Sequence, residues 1–415
     1  MIDIEVHIDM PGGLRRVGTL RRSARRGGET VVFEYHPVWL ADPDRFSLEP
    51  VMKVGPGPFV PAAGQVFFGA IGDSAPDTWG RNLMRRAERR RAERDARPPH
   101  TLSEIDFLLG VADVSRLGAL RFREAGQADF QAPVAQGVPG LVDLGRLIGV
   151  TERILRDEET DEDLQLIFAP GSSLGGARPK ASVVDQYGRL AIAKFPKESD
   201  DYPIERWEAI ALDLARAASI RVPGYELIEV AGRPVMLSRR FDRDGERRLP
   251  YLSALSMMGL RDGVHGSYPE LVDVLNQHGA QAREDAAELY RRMAFNVLVS
   301  NVDDHLRNHG FLWLDRGGWT LSPAFDLNPT PVDVRPRVLT TAIDVDDAVC
   351  NLDLVLSVAG YFGLGKAAAG TIIRTVADSV AAWREVAARR GARPAEIRRM
   401  ASAFEHDDLT AALAL

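Results

Sequence analysis

Residues 301–311, Asn-Val-Asp-Asp-His-Leu-Arg-Asn-His-Gly-Phe, close a helical pattern and open a strand-like one. Transfer of a phosphoryl group to a hydroxyl needs a carboxylate that orients the hydroxyl and accepts its proton. In protein kinases an asparagine five residues further on holds Mg²⁺. Asp303 and Asn308 have that spacing, and Asp304 is one residue short of it. His305, between them, reads as the residue that buttresses the loop. A histidine beside two aspartates also reads as a metal cluster of a hydrolase. Zinc would want a third strong ligand nearby, however, whereas Mg²⁺ suits a carboxylate with an amide.

Downstream, residues 310–325 read as strand, Gly317-Gly318 turn and strand, followed by Asp326. Such a hairpin returns a second Mg²⁺-binding carboxylate, Asp326, to the side of Asn308. Taken alone, Asp326 reads equally as a turn residue or a helix N-cap. Upstream, Ala191-Ile-Ala-Lys194 places a lysine in an apolar strand, where burial is costly unless the charge is paired. Lys194 is either an edge lysine reaching water or the cation that neutralises ATP phosphates. The second role needs an acidic partner on the next helix, which Glu208, or Glu205 one turn earlier, supplies. Before it comes Gly171-Ser-Ser-Leu-Gly-Gly-Ala-Arg-Pro-Lys180, whose glycines let backbone N–H groups approach an anion and whose Lys180 adds charge. It is not a Walker A loop, because Ala177-Arg178 stands where Lys-Ser/Thr belongs and a strand follows rather than a helix. Ordered together, these segments point to phosphoryl transfer.

The rest of the chain fits a two-lobed α+β protein. Ile2, Ile4, Val6 and Ile8 alternate with polar residues, the period of a half-buried strand. A helix is expected over 77–97, with eight arginines in 81–97. That face reads either as solvated Glu–Arg pairs or as a patch that meets phosphates or an acidic partner. Residues 124–138 read as a linker. The KASVVD and LAIAKFP segments read as a hairpin, Ile204–Ser219 as an amphipathic helix, and the chain beyond about 265 as mainly helical, up to 404. The expected domains are a β-rich, then helical, N-terminal subdomain (1–123), a nucleotide-binding lobe with the Gly-rich loop (139–260) and a helical lobe (261–415).

These residues resemble the HipA family of bacterial serine/threonine kinases, toxins of type II toxin–antitoxin pairs. Residues 34–50 with the strands before them are similar to its β-rich N-terminal subdomain, and 68–84 and 108–122 to the helical elements that follow. Residues 173–180 are similar to its phosphate loop, Lys194 to its nucleotide lysine, 240–243 to the stretch after its hinge, and Asp303, His305, Asn308 and Asp326 to its catalytic and metal-binding residues. The resemblance implies a small β-rich lobe and a helical lobe around ATP and Mg²⁺. It implies ATP contacts from Ser173, Gly175, Gly176, Ala177, Lys180, Lys194, Glu208, Arg239 and Phe241. It also implies autophosphorylation of Ser173, with Ser172 the adjacent alternative, a protein substrate connected with translation, and a HipB-like helix-turn-helix antitoxin through which operator DNA is contacted indirectly. The family often has Gln-Glu before the loop lysine, where this chain has Arg178-Pro179.

Composition narrows the class. With 415 residues, 45% hydrophobic and 27% charged, the chain has the make-up of a globular protein of two or three domains. A net charge of −7 disfavours coating nucleic acid with the whole surface. One cysteine, Cys350, excludes an intramolecular disulfide and a Cys-based zinc site. No apolar run approaches the ~20 residues that span a bilayer, so the expected setting is cytoplasmic, without a membrane partner. Two other functions stay open: a kinase for small molecules, and a kinase-like corepressor that binds operator DNA with its antitoxin.

Overall fold

The computed structural model describes residues 3–25, 28–132, 137–168, 176–314 and 317–415. The chain forms two compact units, Met1–Lys197 with Ile228–Leu252, and Glu198–Leu227 with Ser253–Leu415.

The first unit begins with β1 (Asp3–Met10), β2 (Gly13–Arg25), β3 (Gly28–Tyr35) and, further on, β4 (Pro58–Phe59) and β5 (Leu120–Glu124), in the order β4-β3-β2-β1-β5. Alternation sets the register: Ile4, Leu20 and Phe33 align across three strands and are fully buried. Gly18 is required there, because a Cβ would come within 2.6 Å of the Phe33 ring. Between β3 and β5 lie α1 (Pro37–Ala41), α2 (Gly69–Gly72), α3 (Thr78–Arg94) and α4 (Glu104–Gly110). The helical expectation for 108–122 holds only at its start. Leu120 and Phe122 alternate with Arg121 and Arg123, and the open edge of β1 takes them up as β5, with Val6 opposite Phe122. The arginines beside them pair with Asp113 (2.6 Å) and Glu5 (2.7 Å).

Asp77 caps α3 by accepting the Gly80 N–H at 2.7 Å. Most of the arginine face of α3 is met by acids within the same unit. Arg81 pairs with Glu104, Arg86 with Asp157 and Glu159, and Arg97 with Glu88. The paired reading of that helix therefore fits the structure, not a bare phosphate-binding patch.

Helices α5 (Leu144–Leu155) and α6 (Asp161–Phe168) precede a four-stranded sheet of β6 (Lys180–Val184), β7 (Leu190–Lys194), β8 (Tyr225–Val230) and β9 (Arg233–Arg239), ordered β6-β7-β9-β8. One face of this sheet, with Ala181, Val183, Ala193 and Leu237, packs on Trp79, Leu147 and Ile154 to form a core. Beyond β9 lie the short β10 (Arg243–Asp244), β11 (Arg247–Arg248) and β12 (Tyr251–Ser253). Asp242 is buried between the Arg240 and Arg243 guanidinium groups, at 2.5 and 2.7 Å, and accepts the Gly118 N–H at 2.7 Å. Burial alone would raise its pKa; the two arginines hold it well below the usual carboxylate range. Arg243 also donates to the Arg116 carbonyl, and Arg248 bridges Asp9 and Asp113. A lattice of buried charges thus stitches the first 123 residues to the segment after β9.

The second unit is mainly helical. It holds α7 (Ile204–Ala217), α8 (Ala254–Met257), α9 (Tyr268–His278) and α10 (Ala282–Leu298), then the hairpin of β13 (Gly310–Trp313) and β14 (Trp319–Leu321). It continues through α11 (Leu352–Ser357), α12 (Lys366–Ala381), α13 (Trp383–Arg389), α14 (Pro394–Phe404) and α15 (Asp407–Leu413). Trp383 and Phe404 stack at 4.6 Å, with Trp207 of α7 at about 6 Å from both. Helix α14 ends at Phe404 as expected, and α15 is a further helix beyond it that the sequence reading did not include. Its N-cap is His406, whose ring accepts the Leu409 N–H, a capping role less common than that of Ser, Thr or Asp. Among the described residues no helix is long and apolar enough to cross a membrane.

Candidate active site

The loop at 301–308 starts where α10 ends. Ser300 takes a left-handed backbone, φ 53°, which turns the chain, and a short helical turn at Leu306–Asn308 leads into β13. The two neighbouring aspartates point opposite ways. Asp303 is half-exposed, with a carboxylate oxygen 3.1 Å from Arg335. Asp304 is buried: it accepts the Tyr268 hydroxyl at 2.8 Å and the Thr340 and Thr341 N–H groups at 2.9 and 3.3 Å. Burial pushes its pKa up to about 7, against the pull of those donors. A cation cannot be shared between carboxylates so disposed, and among the described residues no His/Cys/Asp/Glu cluster is gathered for a metal. The hydrolase-cluster reading of Asp303, Asp304 and His305 is therefore set aside.

Asn308 closes the loop on itself. Its Nδ2 donates to the Asp303 carbonyl at 2.9 Å and its backbone N–H to the His305 carbonyl at 2.7 Å. Its side-chain oxygen is left as the acceptor. His305 is half-buried at the start of that turn. The neighbouring His309 is buried, which lowers its pKa to about 3, so its ring is neutral.

Asp326 follows β14 in an irregular segment rather than at a helix N-cap. It is half-buried and has a left-handed backbone, φ 55°. That conformation is costly for a residue with a Cβ and recurs at functional sites. Two residues later the Asn328 N–H donates to Asn301 Oδ1 at 3.1 Å. A buried relay runs on from there. Asn301 Nδ2 donates to Asn296 Oδ1 (3.0 Å), Asn296 Nδ2 to the Tyr268 oxygen (2.9 Å), and the Tyr268 hydroxyl to Asp304. The loop of Asp303 and the segment of Asp326 are therefore held by one chain of side chains.

The lysines lie in the first unit. Lys180 and Lys194 are directly opposite in the β6–β7 ladder, on the face away from the core. Like charges so placed repel. The Lys180 ammonium is buried against Asp77 at 2.8 Å, which neutralises it, while Lys194 is half-buried. In the next row of that face Ser182, Ile192 and Ser238 align, and the buried Ser182 hydroxyl has no hydrogen-bond partner among the described residues. Gly176 has a left-handed φ of 108°, and its carbonyl accepts the Trp79 N–H at 3.2 Å. Gly176 and Ala177 are exposed. Arg239 is exposed at the end of β9, and the Phe241 ring lies 6.2 Å from that of Tyr251. Ser172, Ser173 and Gly175 lie outside the described residues.

Glu205 and Glu208 are buried on α7 in the second unit, with Asp303, His305, Asn308 and Asp326. Sequence reasoning missed Asp77, Tyr268, Asn296, Asn301 and Arg335. Asn301 opens the very loop quoted above, but its partner Asn296 lies in a helix and Tyr268 earlier still, so spacing alone gave no signal for the set.

Comparison with known proteins agrees with this architecture. A Sinorhizobium fredii protein named "Putative kinase Y4mE" is 25% identical over 340 residues, 74% of each chain. A Haemophilus influenzae protein named "Putative kinase" is 26% identical over 198 residues, 42% of this chain. The match spans 56% of that relative's length, little more than half. Among solved structures, HipA of the Shewanella oneidensis MR-1 toxin–antitoxin system, determined with HipB and its operator DNA, superposes with a TM-score of 0.66 at 17% identity. That likeness covers 99% of this chain and 96% of the other, and establishes the fold. Residues 8–122 match the family model of the HipA N-terminal domain and residues 172–384, half of the chain, that of the HipA-like C-terminal domain: the chain belongs to the HipA family.

Proposed function

We propose that this protein is an ATP-dependent serine/threonine protein kinase. It acts as a toxin on a host protein connected with translation and is neutralised by a HipB-like helix-turn-helix antitoxin, through which it meets operator DNA. The observation that carries the reading is the self-closed loop, in which Asn308 is bonded through Nδ2 to Asp303 while the Asp303 carboxylate faces outward. The kinase names of its relatives and the toxin–antitoxin complex of its structural neighbour support it.

Lys194 and the backbone of 173–180 would hold the ATP phosphates, with Glu208 as the partner of Lys194 and Arg239 and Phe241 beside the nucleotide. Lys180, paired with Asp77, fixes the end of the phosphate loop. The residues present fit a hard cation: Asn308 offers an amide oxygen not used as an acceptor by Asp303, and Asp326 a carboxylate on a conformationally fixed backbone. When bound there, Mg²⁺ would neutralise charge on the transferred phosphoryl group. Asp303 orients the substrate hydroxyl and accepts its proton, and His305 buttresses the loop. Fixed charges aimed at a developing charge are worth several kcal/mol, roughly 3 for a single donor.

The test is incubation with labelled ATP and Mg²⁺, alone and with cell lysate, followed by mass-spectrometric mapping. Phosphate on Ser172, Ser173 or an added protein is expected. No incorporation anywhere would overturn the assignment and leave the corepressor role.

A further inference from the structure

Residues 337–350 fold back on themselves as a hairpin-like loop closed by a single antiparallel β-bridge, and none of the roles above uses its outer face. The Cys350 N–H donates to the Arg337 carbonyl and the Leu339 N–H to the Ala348 carbonyl, with Val338 and Val349 opposite each other. One face, carrying Leu339, Ile343 and Cys350, is buried. The other presents Val338 and Val349 to solvent, 42% and 52% exposed, and Val345 at the tip is 62% exposed. Three carboxylates surround that tip: Asp344, Asp346 and Asp347. None has an ion-pair partner among the described residues; in this unit Asp333, Asp378 and Asp262 have one, while Asp273, Glu284 and Asp353 are likewise exposed without one, so it is the clustering of three at one tip that sets this place apart.

The hairpin is anchored to the candidate catalytic loop. Its first arm gives the Thr340 and Thr341 N–H groups to the Asp304 carboxylate, and the Thr341 hydroxyl bonds the Asp304 carbonyl at 2.6 Å. Just before it, Arg335 pairs with Asp303.

We propose that the exposed face of this hairpin docks the protein substrate, taking an extended segment in which apolar side chains alternate with Lys or Arg near the phosphoacceptor. The proposal deepens the phosphotransfer reading and rests on it for the nature of the occupant. Three features select that occupant. The β-branched pair offers an apolar strip of the kind that receives alternate side chains of an extended chain. The unpaired carboxylates complement basic residues and repel nucleic acid. The root of the hairpin is bonded to the residue next to Asp303, so a segment bound here lies on an element continuous with the catalytic loop.

The test uses the full chain and two fluorescent synthetic peptides, one with Val/Leu and Lys/Arg alternating around a serine, the other with each basic residue replaced by Glu. Anisotropy is expected to show salt-sensitive binding of the basic peptide and none of its acidic counterpart. The triple variant D344N/D346N/D347N is expected to weaken binding at least tenfold, and V338S/V349S similarly. The triple variant keeps the side-chain oxygens that accept the Val345 and Val349 N–H groups and removes only charge, so it decides the matter even if the valine variant misfolds. Absent binding, equal binding of both peptides, or binding unchanged in the triple variant overturns the proposal. Self-association abolished by the triple variant, without peptide binding, would assign the face to a second copy instead. Phosphate incorporation is followed in parallel. Peptide bound but never phosphorylated would uphold the docking face while counting against the kinase reading.

Discussion

The side-chain oxygen of Asn301 accepts the backbone N–H of Asn328, 3.1 Å away, and so joins the loop of Asp303 to the segment that carries Asp326. Replacing Asn301 by Ala orphans that N–H and the Asn296 side-chain oxygen. Each buried group left unpaired costs roughly 1–3 kcal/mol. N301A is expected to lower the urea midpoint and to lower kcat more than it raises KM for ATP. Wild-type kinetics in a folded N301A would show the relay to be irrelevant to the chemistry.

Asp303 and Asp326 bear on activity rather than on folding. Asp303 is half-exposed, with only a surface ion pair to lose, worth about 0–1 kcal/mol. D303N and D326A are expected to abolish phosphotransfer while leaving the circular dichroism spectrum native. Retained transfer in either purified variant would count heavily against these assignments.

The Lys180–Asp77 pair is a different case, because both side chains are buried and Asp77 also caps α3. D77N keeps a cap acceptor but removes the carboxylate charge 2.8 Å from the Lys180 ammonium, and breaking such a buried pair costs roughly 3–5 kcal/mol. The double variant D77N/K180M is expected to recover most of that loss. Additive losses in denaturant titrations of the four proteins would mean that the two side chains do not act as a pair.

His406 makes the stability acid-sensitive. Its Nδ1 accepts the Leu409 N–H and its Nε2 faces the Leu298 carbonyl, so the ring is held neutral. Burial, with the nearby Arg337 charge, lowers its pKa to about 4 from 6.5. Between those values the unfolded chain binds a proton that the folded one does not, so stability is lost as pH falls from 6.5 towards 4. One proton corresponds to a slope of at most about 1.4 kcal/mol per pH unit. His309 acts in the same sense and Asp304, raised to about 7, in the opposite one. H406N keeps a capping side chain but does not titrate, and its unfolding free energy is expected to fall less steeply over this range than that of the wild type. Parallel curves would assign the acid sensitivity elsewhere.

Much of this was legible in the residues because it is local. The period of Ile4, Val6 and Ile8, the β6–β7 hairpin with Lys194 on its second strand, and the β13–β14 hairpin ahead of Asp326 all follow from patterns a few residues long. What escaped is long-range. Nothing near Asp304 says that its carboxylate turns inward to a tyrosine 36 residues earlier while Asp303 turns outward. The pairing of Lys180 with Asp77 spans 103 residues, and β5 finds its partner only because β1 leaves an edge open. The arginines of α3 read as acid-paired from sequence, but their partners at 104, 157 and 159 lie far along the chain rather than one helical turn away.

The buried charges around Asp242 bear on how this chain can be rearranged. Arg240 and Arg243 hold the turn at 115–118 from within the same unit, and Arg248 reaches back to Asp9. Cutting the gene after codon 123 would therefore not release an independent module. It would strip Arg240 and Arg243 of the carbonyls at 115–118, leaving them Asp242 alone, and Arg248 of Asp9 and Asp113, so the amino-terminal third and the strands that follow are expected to be exchanged between homologues as one block.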